Sequence, residues 1–194
     1  MKTDELRTRR TTLIAHPPVL YVEDDPNDVV LMRYAWTKVG VLNPLQVATD
    51  GAAALRYLSG VGPYANRVAH PMPSLVLTDM NLPTGSGIDL LKWIRAEPSL
   101  HTLPVVILSS STHPVEVHSA YALRVNAYLE KPPTFDGWRK LVAGMSEFWL
   151  SAAETPPERA RFSYPSDWKS RADSEVDVVS RSPMAAADSP RASA

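Results

Sequence analysis

Five times along this chain a short apolar run of strand length gives way to a segment whose apolar residues recur at helical spacing. The runs fall at residues 19–22, 45–48, 74–78, 104–108 and 127–129; the helical segments cover 27–39, 51–59, 87–96, a stretch opening at His113-Pro114, and 135–150. Strands and helices alternating at this size specify an α/β domain. Its expected form is a five-stranded parallel, doubly wound sheet with five helices, joined by right-handed crossovers. Residues 104–108 are nearly all apolar, the mark of a central strand covered on both faces. In such folds ligands bind beyond the carboxyl ends of the strands.

The flanks read differently. Residues 1–16 are polar and basic without a sustained period, and beyond Thr155 the chain is rich in Pro, Ser, Ala, Arg and Asp without periodicity. The expected division is a disordered basic leader over 1–16, one domain over 17–152 and a largely disordered tail over 153–194. Thr8-Arg9-Arg10-Thr11 faintly suggests a twin-arginine signal, but His16-Pro17-Pro18 cuts its apolar segment short. No stretch approaches the roughly 20 apolar residues of a membrane-spanning helix, so no membrane partner is expected. The formal net charge of -1 gives no overall field for nucleic acid, and the tail holds no helix-turn-helix pattern, so direct nucleic-acid binding is not expected. The absence of cysteine removes disulfides, thiolate zinc sites and cysteine nucleophiles, and fits a cytoplasmic location.

The polar residues cluster where the fold places ligands. Glu23 and Asp24 follow the first strand, Asp79 ends the third, and Lys131 follows the fifth. Three carboxylates brought together raise one another's pKa unless a cation is present, and hard oxygen donors suit Mg2+. Glu23 and Asp24 are read as metal ligands and Asp79 as a carboxylate nucleophile toward phosphorus. Lys131 would neutralise charge on the transferring group. Ser109, at the end of the fourth strand, carries a hydroxyl suited to a bound phosphoryl group. Singly, each has a plainer explanation: residues 24–27 cap a helix, Asp79 starts a loop, Lys131 is a surface lysine, Ser109 belongs to a polar turn, and Tyr128 is a packed aromatic. Their joint order along the chain favours a site.

The segments Val22-Glu23-Asp24-Asp25-Pro26, Leu77-Thr78-Asp79-Met80-Asn81-Leu82-Pro83, Val106-Ile107-Leu108-Ser109-Ser110 and Tyr128-Leu129-Glu130-Lys131-Pro132 resemble the receiver domains of bacterial response regulators, the CheY-like family. The similarity covers about residues 17–150. It implies a flavodoxin-like fold and a metal site of Glu23, Asp24, Asp79 and the backbone carbonyl of Asn81. It further implies Asp79 as phosphoacceptor, Lys131 and Ser109 as its catalytic partners, Ser109 and Tyr128 as switch residues, and a Lys131-Pro132 bond that is often cis. Asp25, an additional acid, leaves open a second metal pair of Asp24 and Asp25. Gly62-Pro63-Tyr64-Ala65-Asn66, Asn81-Leu82-Pro83 and Phe148-Trp149 look like single-domain regulators paired with phytochrome-type sensor histidine kinases, and Phe148-Trp149 implies a homodimer contact as the alternative to core packing.

The expected function is a single-domain response regulator. It takes a phosphoryl group from a sensor histidine kinase onto Asp79 and repacks the face formed by the fourth helix, fifth strand and fifth helix. It is not expected to be a conventional enzyme, beyond its own Mg2+-dependent phosphoryl transfer and hydrolysis. The alternative is a phosphorylation-independent interaction module with the same fold. A phosphatase of the aspartate-nucleophile type is disfavoured, because Asn81 stands where a second acid is required.

Overall fold

The computed structural model describes residues 16–153; the expectations for the leader and for the tail beyond Ala153 lie outside the described residues. The strands are β1 (Val19–Val22), β2 (Leu45–Ala48), β3 (Leu75–Asp79), β4 (Val105–Ser109) and β5 (Ala127–Glu130). They form one sheet in the order β2-β1-β3-β4-β5, every adjacent pair parallel. The helices are α1 (Pro26–Val39), α2 (Gly51–Ser59), α3 (Gly87–Ala96), α4 (Pro114–Ala122) and α5 (Phe135–Met145). This is the five-stranded, doubly wound architecture that the alternation predicts.

Side-chain alternation along the strands divides the core in two. Leu20, Val22, Val76, Val105 and Ile107 pack with the apolar faces of α2 and α3, while Val19, Tyr21, Leu75, Leu77, Val106 and Leu108 pack with α1 and α5. β1, β3 and β4 are buried at every position, which is why they read as unbroken apolar runs; β2 and β5 at the sheet edges are only partly buried.

Local signals set the helix ends. Asp25 caps α1 by accepting from the Asn27 N–H at 2.8 Å, Pro26 occupies the first turn, and Gly40 closes the helix at φ +80°. Asp50, Ser86 and Thr134 cap α2, α3 and α5 in the same way. The long connection after α2 is ordered by Arg67, whose guanidinium donates to the carbonyls of Tyr57, Leu58 and His70. The rings of Tyr57, Tyr64 and His70 pack together there, with centroids 5.1, 5.2 and 6.1 Å apart.

Two expectations are corrected. The last helix is not one α-helix to residue 150: α5 ends at Met145 and continues as a π-helical turn, Ser146–Ala152. The wider turn carries Trp149 and Leu150 onto the α1/α5 core while Phe148 stays 57% exposed. The Lys131-Pro132 bond is trans, as is every peptide bond among the described residues; trans is the favoured form before proline by about 0.5–1 kcal/mol.

Candidate functional site: an acidic cluster around Lys131

The carboxyl ends of β1, β3 and β5 bring the site residues together. Asp79, the last residue of β3, is only 6% exposed, and Glu23, just beyond β1, is 1% exposed. Lys131 follows β5, and its Nζ lies 2.7 Å from Glu23 Oε2, 2.8 Å from Asp79 Oδ1 and 2.8 Å from Asp28 Oδ2. An ammonium has three protons to donate and no acceptor, so all three are engaged.

Carboxylate oxygens of Glu23, Asp24 and Asp79 lie within 4.8 Å of one another. Asp24 is exposed and opens this cluster to solvent. The donor set is all hard oxygen, as a small divalent cation requires, and solvent access leaves room for the waters such an ion retains. The residues therefore fit a metal. Asp25 does not belong to the cluster: its Oδ1 accepts from the Asn27 backbone and side chain at 2.8 and 3.0 Å, which makes it a helix cap. Of the three acids at 23–25, Glu23 and Asp24 are the two that gather with Asp79.

Each buried charge has a defined set of partners. Glu23 Oε2 accepts from the Tyr21 hydroxyl at 2.9 Å as well as from Lys131, and Oε1 accepts from the Asp25 N–H at 3.2 Å. Burial pushes the Glu23 carboxyl above its usual range, opposed by the hydrogen bond and charge of Lys131. Burial by itself disfavours the Lys131 ammonium, but its hydrogen bonds to Asp28, Asp79 and Glu23 outweigh this and hold it above the ordinary lysine range. Burial, followed by the charge and hydrogen bond of Glu23, drives the Tyr21 phenol far upward. Asp79 Oδ2 accepts from the Asn81 N–H at 2.7 Å, so both oxygens of this carboxylate are held.

Ser109 is fully buried, and its Oγ accepts from the Ser111 N–H at 3.1 Å. Tyr128 is half-buried; its hydroxyl donates to the Ser111 carbonyl at 2.8 Å and approaches Glu116 Oε2 at 3.4 Å. Ser109 and Tyr128 are thus joined through one loop residue.

Three contributors escape the sequence reading. Asp28, in the first turn of α1, looks like an acid placed for the helix dipole. Tyr21 sits in an apolar run, and only the strand register and its hydroxyl partner reveal its role. Gly87 permits the close approach of α3 to β3: a Cβ there would lie 2.3 Å from the Asp79 carbonyl oxygen. A glycine at that position was legible only as a helix start.

A doubly wound parallel sheet whose strand ends gather a metal-capable acidic cluster around one partly buried lysine places the chain among the α/β domains that carry their chemistry at the carboxyl ends of the strands. Residues 19–143 match the response regulator receiver domain, and the chain belongs to that family. Response regulator Rcp1 of Synechocystis sp. is 35% identical over 144 residues, covering 73% of this chain and 96% of the relative. The crystal structure of the phosphorylated cyanobacterial phytochrome response regulator RcpA is similar at 36% identity and a TM-score of 0.68, over 73% of this chain and 99% of that one. The Mn(2+)-bound form of Rcp1 is similar at 34% identity and a TM-score of 0.65, over 72% and 99%. Among the described residues no helix is long and apolar enough to cross a membrane.

Proposed function

We propose that Asp79 is the phosphoacceptor of this receiver domain and that a sensor histidine kinase is its donor. The observation that carries the reading is the meeting of Lys131 Nζ with Asp79 Oδ1 at 2.8 Å beside the carboxylates of Glu23 and Asp24. In the step, an Asp79 oxygen attacks the phosphorus of a phosphohistidine and a P–O bond forms. The P–N bond breaks, its electron pair leaves with the imidazole nitrogen, and that nitrogen takes a proton from solvent. Lys131 donates to the phosphoryl oxygens as negative charge gathers on them, and the Ser109 hydroxyl donates to a further one. Glu23, Asp24 and Asp79, with the Asn81 backbone carbonyl, are the residues that would hold Mg2+, which when bound supplies charge neutralisation on the phosphoryl group. Attack of water on phosphorus later returns the carboxylate and inorganic phosphate, which resets the switch without a separate phosphatase.

Drawing Ser109 toward the phosphoryl group pulls on Ser111, and through it on the Tyr128 hydroxyl. Phosphorylation thereby shifts the population of arrangements at the α4, β5 and α5 face, the surface offered to a downstream partner. RcpA, named as a phytochrome response regulator, supports a phytochrome-type kinase as donor. The exposed ring of Phe148, edge-on to Trp149 at 4.8 Å, supports a contact with a second copy. Radiolabelled phosphotransfer from an autophosphorylated histidine kinase tests the reading. Label should pass to the chain with Mg2+ and not with a chelator; label reaching Asp79→Asn equally well would refute it.

A further inference from the structure

The four acids at the strand ends divide their duties unequally. Glu23 and Asp79 belong both to the candidate metal cluster and to the lysine; Asp24 belongs to the metal cluster, and Asp28 only to the lysine. We propose that Asp28 is a positioning residue for Lys131, holding its ammonium in place while Asp79 changes from carboxylate to acyl phosphate. The proposal rests on the phosphoacceptor reading above, and it adds a residue which that reading does not require.

The argument is one of donor count. Lys131 has three protons, directed at acceptors on three different elements: Glu23 after β1, Asp28 in the first turn of α1 and Asp79 on β3. Phosphorylation converts one Asp79 oxygen into the bridging oxygen of a mixed anhydride and moves the negative charge outward onto phosphoryl oxygens. The proton aimed at Asp79 must then turn to one of those. A lysine side chain carries about 2 kcal/mol of rotamer entropy, so an amine held by Glu23 alone would pivot. With two fixed carboxylates it keeps its position while the third proton is re-aimed.

The first turn of α1 is itself fixed, since Asp25 caps it and Pro26 opens it. Asp28 is therefore mounted on a rigid element, as preorganisation of a reacting group requires. Its competing role, favourable charge at a helix N-terminus, would affect stability without affecting the lysine.

The test uses the full chain, Asp28→Ala, and Asp28→Asn, which keeps an acceptor oxygen at the same position. Phosphoryl uptake from acetyl phosphate at saturating Mg2+ is followed by intact mass. Lysine ammonium signals are read by nitrogen-15 NMR without donor, with the Lys131 signal assigned by its loss in Lys131→Ala. Asp28→Ala should slow uptake at saturating donor by about tenfold or more. Its half-saturating donor concentration and Mg2+ affinity should stay within about threefold, and the Lys131 ammonium signal should be lost to fast exchange. Asp28→Asn should recover most of the rate and the signal. A folded Asp28→Ala chain with unchanged rate, or with the Lys131 signal intact, would overturn the proposal. Failure of the unaltered chain to take up any phosphoryl group would instead sink the phosphoacceptor reading, and the ammonium signal would still decide whether Asp28 holds the lysine.

Discussion

The Tyr21 hydroxyl donates to Glu23 Oε2 at 2.9 Å from a position with no solvent exposure. A buried carboxylate needs its lone pairs satisfied, and Tyr21 supplies a donor from within the apolar face of β1. Removing only the hydroxyl leaves the ring packing intact and one oxygen short of a partner. Tyr21→Phe should therefore lower unfolding free energy by about 1.5–3 kcal/mol, the worth of a hydrogen bond to a charged group. Urea denaturation would show this as a lower midpoint at unchanged slope; an unchanged midpoint would mean the bond contributes nothing.

Gly87 tests the link between α3 and the site. Because an added Cβ would meet the Asp79 backbone rather than a flexible side chain, neither partner can yield without moving Asp79. Gly87→Ala should cost about 2–3 kcal/mol or more, and phosphoryl uptake should fall along with stability. Wild-type stability together with wild-type uptake would show that α3 can retreat freely.

Three carboxylates contact a single ammonium here, and a fourth, that of Asp24, lies within 4.8 Å of two of them, so the metal-free site carries excess negative charge. Asp24 is the exposed member and makes no ion pair with Lys131 among the described residues. Asp24→Asn should relieve repulsion worth about 1 kcal/mol at 4–5 Å in a high-dielectric setting, raising metal-free melting temperature slightly. It should also abolish the stabilisation that Mg2+ confers, about 2.7 kcal/mol at a hundredfold excess over Kd. A variant that melts earlier without metal and still responds fully to Mg2+ would contradict the charge account.

On the surface of α5, Asp136 accepts from Lys140 at 2.9 Å and from Arg139 at 3.1 Å. The hydrogen bond and then the charge of Lys140 hold its carboxyl below the usual range. Because the folded value is depressed, its contribution is present above the unfolded value of about 3.9 and is lost as pH falls through the lower folded value. A carbon-13 titration should move back toward the ordinary midpoint in Lys140→Ala and in high salt. Indifference to both would mean that the pairing is absent in solution.

Much of this fold was legible because its central strands carry their burial in their composition. The runs at β1, β3 and β4 are continuous because both faces are covered, and the cap at Asp25 and the stop at Gly40 announce the ends of α1. The acid and lysine positions were legible because parallel strands place their carboxyl ends on one edge. Other features depend on geometry that no residue type declares. Asp28 meets Lys131 across 103 positions, and either residue alone reads as a surface charge. The direction of the Tyr21 hydroxyl follows from strand register, and the π-helical turn after Met145 from how Trp149 reaches the core. Arg67 orders its loop through backbone carbonyls, which leave no mark in the sequence.

The central claim is chemical modification of Asp79. Intact-mass and fragment analysis after incubation with acetyl phosphate and Mg2+ measures it most directly. One phosphoryl group should be added, its fragment ions should localise to Asp79, and the addition should vanish in Asp79→Asn and in the presence of a chelator. A phosphoryl group that maps to another residue, or that survives in Asp79→Asn, would contradict the account.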